Sequence, residues 1–274
     1  MAREEKKNTR ISILGCGWLG LPLAEKFIAE GFSVKGSTTS QEKIPVLAAG
    51  GISPFLIAAE KESIVGQMKE FLAGSDVLII DIPPKLRSEN KDDFTAKIKN
   101  LVPYIEKSGL AKVLFISSIS VYAEDNSAVT ETTLPKPATE SGRQLLAAEK
   151  ILQENFNFKT TVLRFGGLIG KDRHPVKHLA GKENLENPES PINMIHLEDC
   201  IGIILNIIEK DCFGEVFNAV APFHPERSVF YTEKAMQMNL ALPTFAFDKP
   251  SVGKWISGEK TEKVLGYSFI KPQL

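Results

Sequence analysis

From residue 11 onward the chain alternates short, almost continuously apolar runs with amphipathic stretches of helix length. "ISIL" precedes "WLGLPLAEKFIAEG", which Gly31 ends, and "FSVKGST" precedes a helix around "QEKIPVLAAG". "ISPFLI" then leads to a helix around "ESIVGQMKEFLAG", and "DVLIIDI" leads to "KDDFTAKIKNLVPYIEKSG", which precedes "KVLFIS". Strands apolar at nearly every position suit a parallel sheet covered by helices on both faces. Repeated this often, the unit predicts an α/β fold, a Rossmann-type doubly wound parallel sheet.

The second half keeps the pattern less strictly. "TTVLRF" and "EVFNAV" read as strands and "LEDCIGIILNIIEK" as a helix, separated by the loop-like "GGLIGKDRHPVKHLAGKENLENPESP". Near the end, "FYTEKAMQMNL" and "EKTEKVLG" read as helices and "PTFAF" as a strand. The expected organisation is a solvated tail at 1–10, a Rossmann domain at 11–165, and a region at 166–274 that completes the sheet and forms a small C-terminal lobe.

Composition removes several functions. Hydrophobic residues make up 43% of the 274 and charged residues 24%, with a formal net charge of -1. That balance gives no electrostatic reason to expect nucleic acid or an anionic membrane as partner. No apolar run approaches the roughly 18 residues of a membrane helix. "MAREEKKNTR" lacks the apolar stretch of a signal peptide. Cys16, Cys200 and Cys212 have no metal-site spacing and suit reduced thiols in a cytoplasmic protein. Cys16, inside a glycine loop, is expected to pack and not to act as a nucleophile. His196 and Asp199, three apart at a helix start, have the look of metal ligands.

"GCGWLG" follows the first strand and opens the first helix, the setting that a dinucleotide fingerprint requires. Gly15 permits a tight turn, Gly17 a close backbone approach to a pyrophosphate, and Gly20 close packing of helix on sheet. The helix N-terminus adds unpaired N–H groups and partial positive charge. The second strand ends in "GSTTSQEK" with no acid before Glu42, where an NAD-preferring loop places Asp or Glu for the ribose diol. Hydroxyls of Ser37, Thr38, Thr39 and Ser40, with Lys43 nearby, favour NADP over NAD, although the same hydroxyls suit capping of the next helix.

"KVLFISSISVYAE" resembles the extended short-chain dehydrogenase/reductase superfamily, its nucleotide-sugar epimerase and dehydratase branch in particular. The resemblance continues through "TETTLPKPATESGRQLLAAE", "TVLRFGGLIG" and "INMIHLEDCIGII" to "KVLGYSF", roughly residues 11 to 270. It implies a Rossmann domain holding NAD or NADP and a C-terminal lobe holding a small-molecule substrate, often a nucleotide sugar. Homodimers are frequent in such a family, and the resemblance also makes His196 and Asp199 structural, so that no metal site is expected. The expected cofactor contacts are Gly15, Gly17, Trp18, Leu19 and Gly20, then Thr38, Thr39 and Ser40. Ile82 and Pro83 follow, and then Ser117, Phe165, Gly166 and Gly167.

Two departures stand out. The family's G-x-x-G-x-x-G would place Leu14 at its first glycine. Aligning "SGRQLLAAE" with Y-x-x-x-K-x-x-x-E puts Ser141 at the tyrosine and Leu145 at the lysine, the pair whose cation lowers the phenol pKa. Ser118 matches the family's active-site serine, so Ser118 and Ser141 are the expected catalytic groups. Tyr122, Arg143, Arg173, Lys177 and His178 are the expected substrate contacts, the last three in a cationic loop with Lys171, His174 and Lys182. The leading reading is an epimerase/dehydratase-like or oxidoreductase-like protein acting on a small or nucleotide-linked alcohol or sugar. A non-catalytic NADP-binding sensor or regulatory protein is the alternative.

Overall fold

The computed structural model describes residues 9–84, 93–170 and 172–273. Residues 1–8 of the expected tail, and Lys171 of the cationic loop, lie outside the described residues. Along the chain run β1 (Arg10–Leu14), α1 (Gly20–Ala29), β2 (Ser33–Thr38), α2 (Ile44–Ala49), β3 (Ser53–Ala59), β4 (Ile64–Gly66), α3 (Met68–Leu72) and β5 (Val77–Ile80). Next come α4 (Phe94–Ser108), β6 (Lys112–Ser118), β7 (Ala128–Val129), α5 (Glu140–Gln153), β8 (Lys159–Phe165), β9 (Gly167–Ile169) and α6 (Val176–Leu179). The chain closes with β10 (Met194–His196), α7 (Leu197–Glu209), β11 (Val216–Ala219), α8 (Arg227–Gln237), β12 (Trp255–Ile256) and α9 (Glu259–Leu265).

Eight strands form one sheet in the order β11-β8-β6-β5-β1-β2-β3-β4, parallel throughout except for β4. The chain moves outward from β1 to β3, then returns past β1 to build β5, β6, β8 and β11. The direction of winding therefore reverses between β1 and β5, where the carboxyl ends of neighbouring strands open a crevice. On one face Leu23 and Phe27 of α1 and Ile203 and Ile207 of α7 bury against Ile11, Ile13 and Leu163. On the other, Ile98 and Leu101 of α4 and Leu145 and Ala148 of α5 bury against Leu78, Ile80 and Phe115. A smaller cluster joins Ile169, Val176 and Met194 to Phe230 and Tyr231 of α8.

Local chemistry sets the helix ends. Asp93 caps α4 by accepting from the Ala96 N–H at 2.9 Å, and Gly109 ends it with φ of 70°. Thr139 caps α5 by accepting from the Gly142 N–H at 3.1 Å. Two expected elements differ. In "ESIVGQMKEFLAG" only Met68–Leu72 is helical, because Ile64–Gly66 pairs antiparallel with β3. Gly66 has φ of 106°, and a Cβ there would lie 2.2 Å from the Leu56 carbonyl oxygen. "PTFAF" forms no strand and touches Leu185 through a single bridge at Phe245.

A buried polar network ties β6, β8, β11 and α5 together. Arg164 is 4% exposed and Glu149 1% exposed. Arg164 donates Nε to Oε1 at 3.0 Å and an Nη to Oε2 at 2.6 Å of Glu149. Its other Nη reaches the Tyr122 hydroxyl at 2.6 Å, and that hydroxyl donates to Asn218 Oδ1 at 2.9 Å. Ser117 donates to Glu149 Oε1 at 2.5 Å. A buried cation stripped of its partner is strongly destabilising, whereas an apolar replacement of both groups is tolerated. Glu149→Leu is therefore expected to lower unfolding free energy by about 3–5 kcal/mol, measured by urea denaturation. Adding Arg164→Met should recover most of the loss, and an unchanged midpoint in the single variant would contradict the network's role.

Candidate functional site

The loops that leave the carboxyl ends of β1, β2, β5, β6 and β8 surround two cavities that share Gly17, Asp81, Ile82 and Pro83. The first, about 320 Å³, is walled by Gly15, Cys16, Thr38, Thr39, Lys43, Ala59 and Lys97. The second, about 550 Å³, is walled by Trp18, Leu19, Ser117, Ser118, Ser141, Leu145, Phe165, Gly166, Gly167 and Arg173. Both fall in the size range of small-molecule sites.

The glycine loop explains how this face is built. Gly15 has φ of 110°, and a Cβ there would sit 2.3 Å from the Asp81 carbonyl oxygen. At Gly20 a Cβ would meet the Gly15 carbonyl oxygen at 2.1 Å. At Gly17, by contrast, nothing lies within 4 Å of that position, so its backbone faces open space in both cavities. The Ser37 hydroxyl accepts from the Gly15 N–H at 2.9 Å, and the Cys16 N–H reaches the Ser37 carbonyl at 2.7 Å. Ser37 therefore braces the loop, and although almost fully buried it also borders the first cavity. Cys16 packs beneath Gly36, and burial pushes its thiol up to about 12, which keeps it inert.

Other expected residues divide clearly. Thr38 and Thr39 line the first cavity with Lys43, whereas Ser40 does not, its N–H being taken by Thr38 Oγ1 at 3.1 Å. Ser118 and Ser141 share the second cavity, and Ser118 Oγ accepts from the Ser120 N–H at 3.1 Å. Ser117 lines the same wall, but its hydroxyl is turned inward to Glu149. Leu145, 5% exposed, supplies an apolar patch there.

Four substrate expectations are corrected. Tyr122 is 1% exposed, and its hydroxyl is bound between Arg164 and Asn218, so no substrate reaches it. Burial also raises its pKa, against the lowering influence of Arg164. Arg143 pairs with Glu140 at 2.9 Å and with the Ala138 carbonyl, away from the cavity wall. Lys177 reaches the Asp172 backbone at 3.4 Å, and exposed His178 contributes nothing to either wall. Arg173 does face the second cavity. It lies 4.9 Å over the Trp18 ring, whose Nε1 donates to Asp172 at 3.0 Å, joining the glycine loop to the loop after β9. Gly170 makes room, since a Cβ there would sit 2.8 Å from the indole. His196 and Asp199 are structural: the first caps α7, and the second accepts from Tyr267, Ile270 and Lys271.

Asp81 and Lys97 were not anticipated. Asp81 borders both cavities, its N–H is held by the Leu14 carbonyl at 2.9 Å, and its carboxyl accepts the Gly20 N–H. Although the residue is partly exposed, poor hydration of the carboxyl pushes its pKa up to about 8, against the lowering effect of the Gly20 N–H. Between the ordinary carboxyl pKa and that value the folded chain holds a proton that the unfolded chain has lost. Stability from this group is thus present at low pH and lost as pH rises towards 8. Asp81→Asn should therefore gain melting temperature relative to wild type as pH goes from 5 to 8, by several degrees. A pH-independent difference in thermal melts would contradict the protonated state.

With the geometry in place, comparison with other proteins identifies the lineage. A family model described as NAD(P)H-binding matches residues 15–202. Protein YeeZ of Escherichia coli K12 is 33% identical over 265 residues, covering 96% of each chain. UDP-glucose 4-epimerase with UDP-glucose from Thermotoga maritima superposes with a TM-score of 0.79 at 18% identity, over 96% of this chain and 94% of that one. UDP-glucuronic acid 4-epimerase from Bacillus cereus in complex with NAD gives 0.75 at 19% identity, over 95% and 91%. The crevice at the β1/β5 switch and the glycine loop agree with these matches, which show that the chain belongs to the NAD(P)H-binding family.

Proposed function

We propose that the chain binds NADP in preference to NAD along the two joined cavities and acts on a small or nucleotide-linked alcohol or sugar without the usual tyrosine acid/base. The carrying observation is the wall that brings Ser118 and Ser141 together with Leu145 beside the glycine loop. The residues fit a dinucleotide: open backbone at Gly17 suits a pyrophosphate, and Thr38, Thr39 and Lys43 suit a ribose phosphate. The solved relatives named for UDP sugars point to the same substrate class.

A bound nicotinamide supplies or accepts the hydride. Ser118, held at the end of β6, orients the substrate oxygen through its hydroxyl. Ser141 stands on the first turn of α5, where its alkyl hydroxyl is a far weaker acid than a phenol, and Leu145 one turn later offers no cation. With neither a phenol nor a cation here, Ser118 and Ser141 would hold the substrate oxygen and a water that carries its proton, and a bound dinucleotide would supply ribose hydroxyls as a further proton carrier. Arg173, at the mouth of the cavity, matches a substrate phosphate.

Lys43→Ala should weaken NADPH binding about tenfold, near 1.4 kcal/mol, and leave NADH unchanged in calorimetric titrations. Equal loss for both would remove the NADP preference. Rapid mixing of the NADPH-loaded protein with UDP-sugar-derived ketones should show loss of reduced cofactor. No oxidation across such a panel, with tight binding intact, would sink the enzyme reading in favour of a sensor. Ser141→Tyr with Leu145→Lys should gain reductase activity on a simple carbonyl, and no gain would count against the helix alignment.

A further inference from the structure

Asp81 occupies an unusual place for an acid. It directly follows β5 at the switch point, and its backbone is fixed by its hydrogen bond to Leu14 and by the packing of Gly15 over its carbonyl. Its carboxyl accepts the Gly20 N–H, and Oδ2 lies 3.1 Å from where a Cβ on Gly20 would be. The group therefore sits at the first turn of the ten-residue α1, against the helix end that the glycine loop presents to phosphates. A carboxylate and a pyrophosphate at one helix end repel each other at short range, and the low hydration of the carboxyl leaves little water to screen them.

We propose that Asp81 carries a proton whenever a dinucleotide's pyrophosphate is bound beside it, taking one up from solvent where the free carboxyl is ionised, so that the glycine loop loosens its hold on the cofactor as pH rises. The inference rests on the dinucleotide reading above. In the free protein the carboxyl is protonated below about 8 and ionised above it. In the complex the neighbouring phosphates keep it protonated to higher pH, where it donates its O–H instead of opposing them.

Two buried thiols near it do not titrate in its place. Cys16 in the glycine loop and Cys200 on α7 feel the Asp81 charge, but burial holds both as neutral thiols. Arg173 borders the second cavity, and Lys43 and Lys97 border the first. None of the three contributes to the shift at Asp81, which comes from desolvation opposed by the Gly20 N–H. Asp199 is committed to Tyr267 and the backbone of Ile270 and Lys271.

The test is calorimetric titration with NADH, which lacks a titrating 2′-phosphate, at pH 7, 8 and 9. The wild type is expected to bind about tenfold more weakly at pH 9 than at pH 7, and Asp81→Asn to show no such slope. Asparagine keeps an acceptor for the Gly20 N–H. Should that variant fail to fold, the wild type alone decides: titrations at pH 8.5 in two buffers of different ionisation enthalpy should show uptake of more than about half a proton. A flat wild-type profile, a slope shared by both proteins, or zero uptake overturns the proposal while leaving cofactor binding in place. No binding of NADH or NADPH by the wild type at any pH overturns the dinucleotide reading itself, and this inference with it.

Discussion

The carbonyl oxygen of Asp81 lies 2.3 Å from where a Cβ on Gly15 would stand, and the carbonyl of Gly15 lies 2.1 Å from the equivalent point on Gly20. Backbone thus stacks directly on backbone at the end of β1 and β5. Any larger residue at either glycine would lift the loop from the sheet, moving the start of α1 with it. The distance from the sheet end to the helix N-terminus, and hence the place where an anion can rest, follows from these two contacts. Ser37 completes the brace from β2 by accepting the Gly15 N–H. The same tight stacking also brings the Asp81 carboxyl against α1, so the geometry that shapes the cleft places an acid inside it.

A comparable close approach shapes the other wall. A Cβ on Gly142 would lie 2.3 Å from the Ser120 carbonyl oxygen and 2.8 Å from Pro137, so α5 rests directly on the turn that carries Ser118. Ser141 and Leu145 reach the cavity because the helix comes that near. Beneath them the ion pair of Glu149 and Arg164 holds α5 to β8, and Ser117 and Tyr122 join the same network. Polar groups once plausible as ligands are spent on holding the wall. Ser118, Ser120 and Ser141 line the cavity next to an apolar leucine, and this contrast gives the site its chemical character.

Much of this was legible in the sequence. Near-continuous apolar runs and periodic helices define the parallel sheet, and "GCGWLG" between strand and helix locates its ligand face. The end of α1 at Gly31, where φ is 94°, follows from residue chemistry alone. Edge strand β4 did not, because Ile64 and Val65 fit a helical period, and only pairing with β3 and the positive φ of Gly66 override it. Which polar residues are free was also hidden. Tyr122 and Ser117 stand at motif positions that suggest ligands, yet Arg164 and Glu149, distant in sequence, bind their hydroxyls. Asp81 was visible as the acid that ends "DVLIID", but its contact with Gly20 arises only once β1 and β5 lie side by side.

Gly17 offers the most direct trial of the central claim, that this crevice holds a dinucleotide against the glycine loop. A Cβ there meets nothing within 4 Å, so Gly17→Val should fold with an unchanged melting temperature while its methyl groups fill the space that a pyrophosphate needs. Titrating NADPH into wild type and variant, the account predicts binding to the first and a loss of at least about 100-fold, some 2.7 kcal/mol, in the second. Equal affinity in a variant that melts normally would place the cofactor elsewhere and contradict the account.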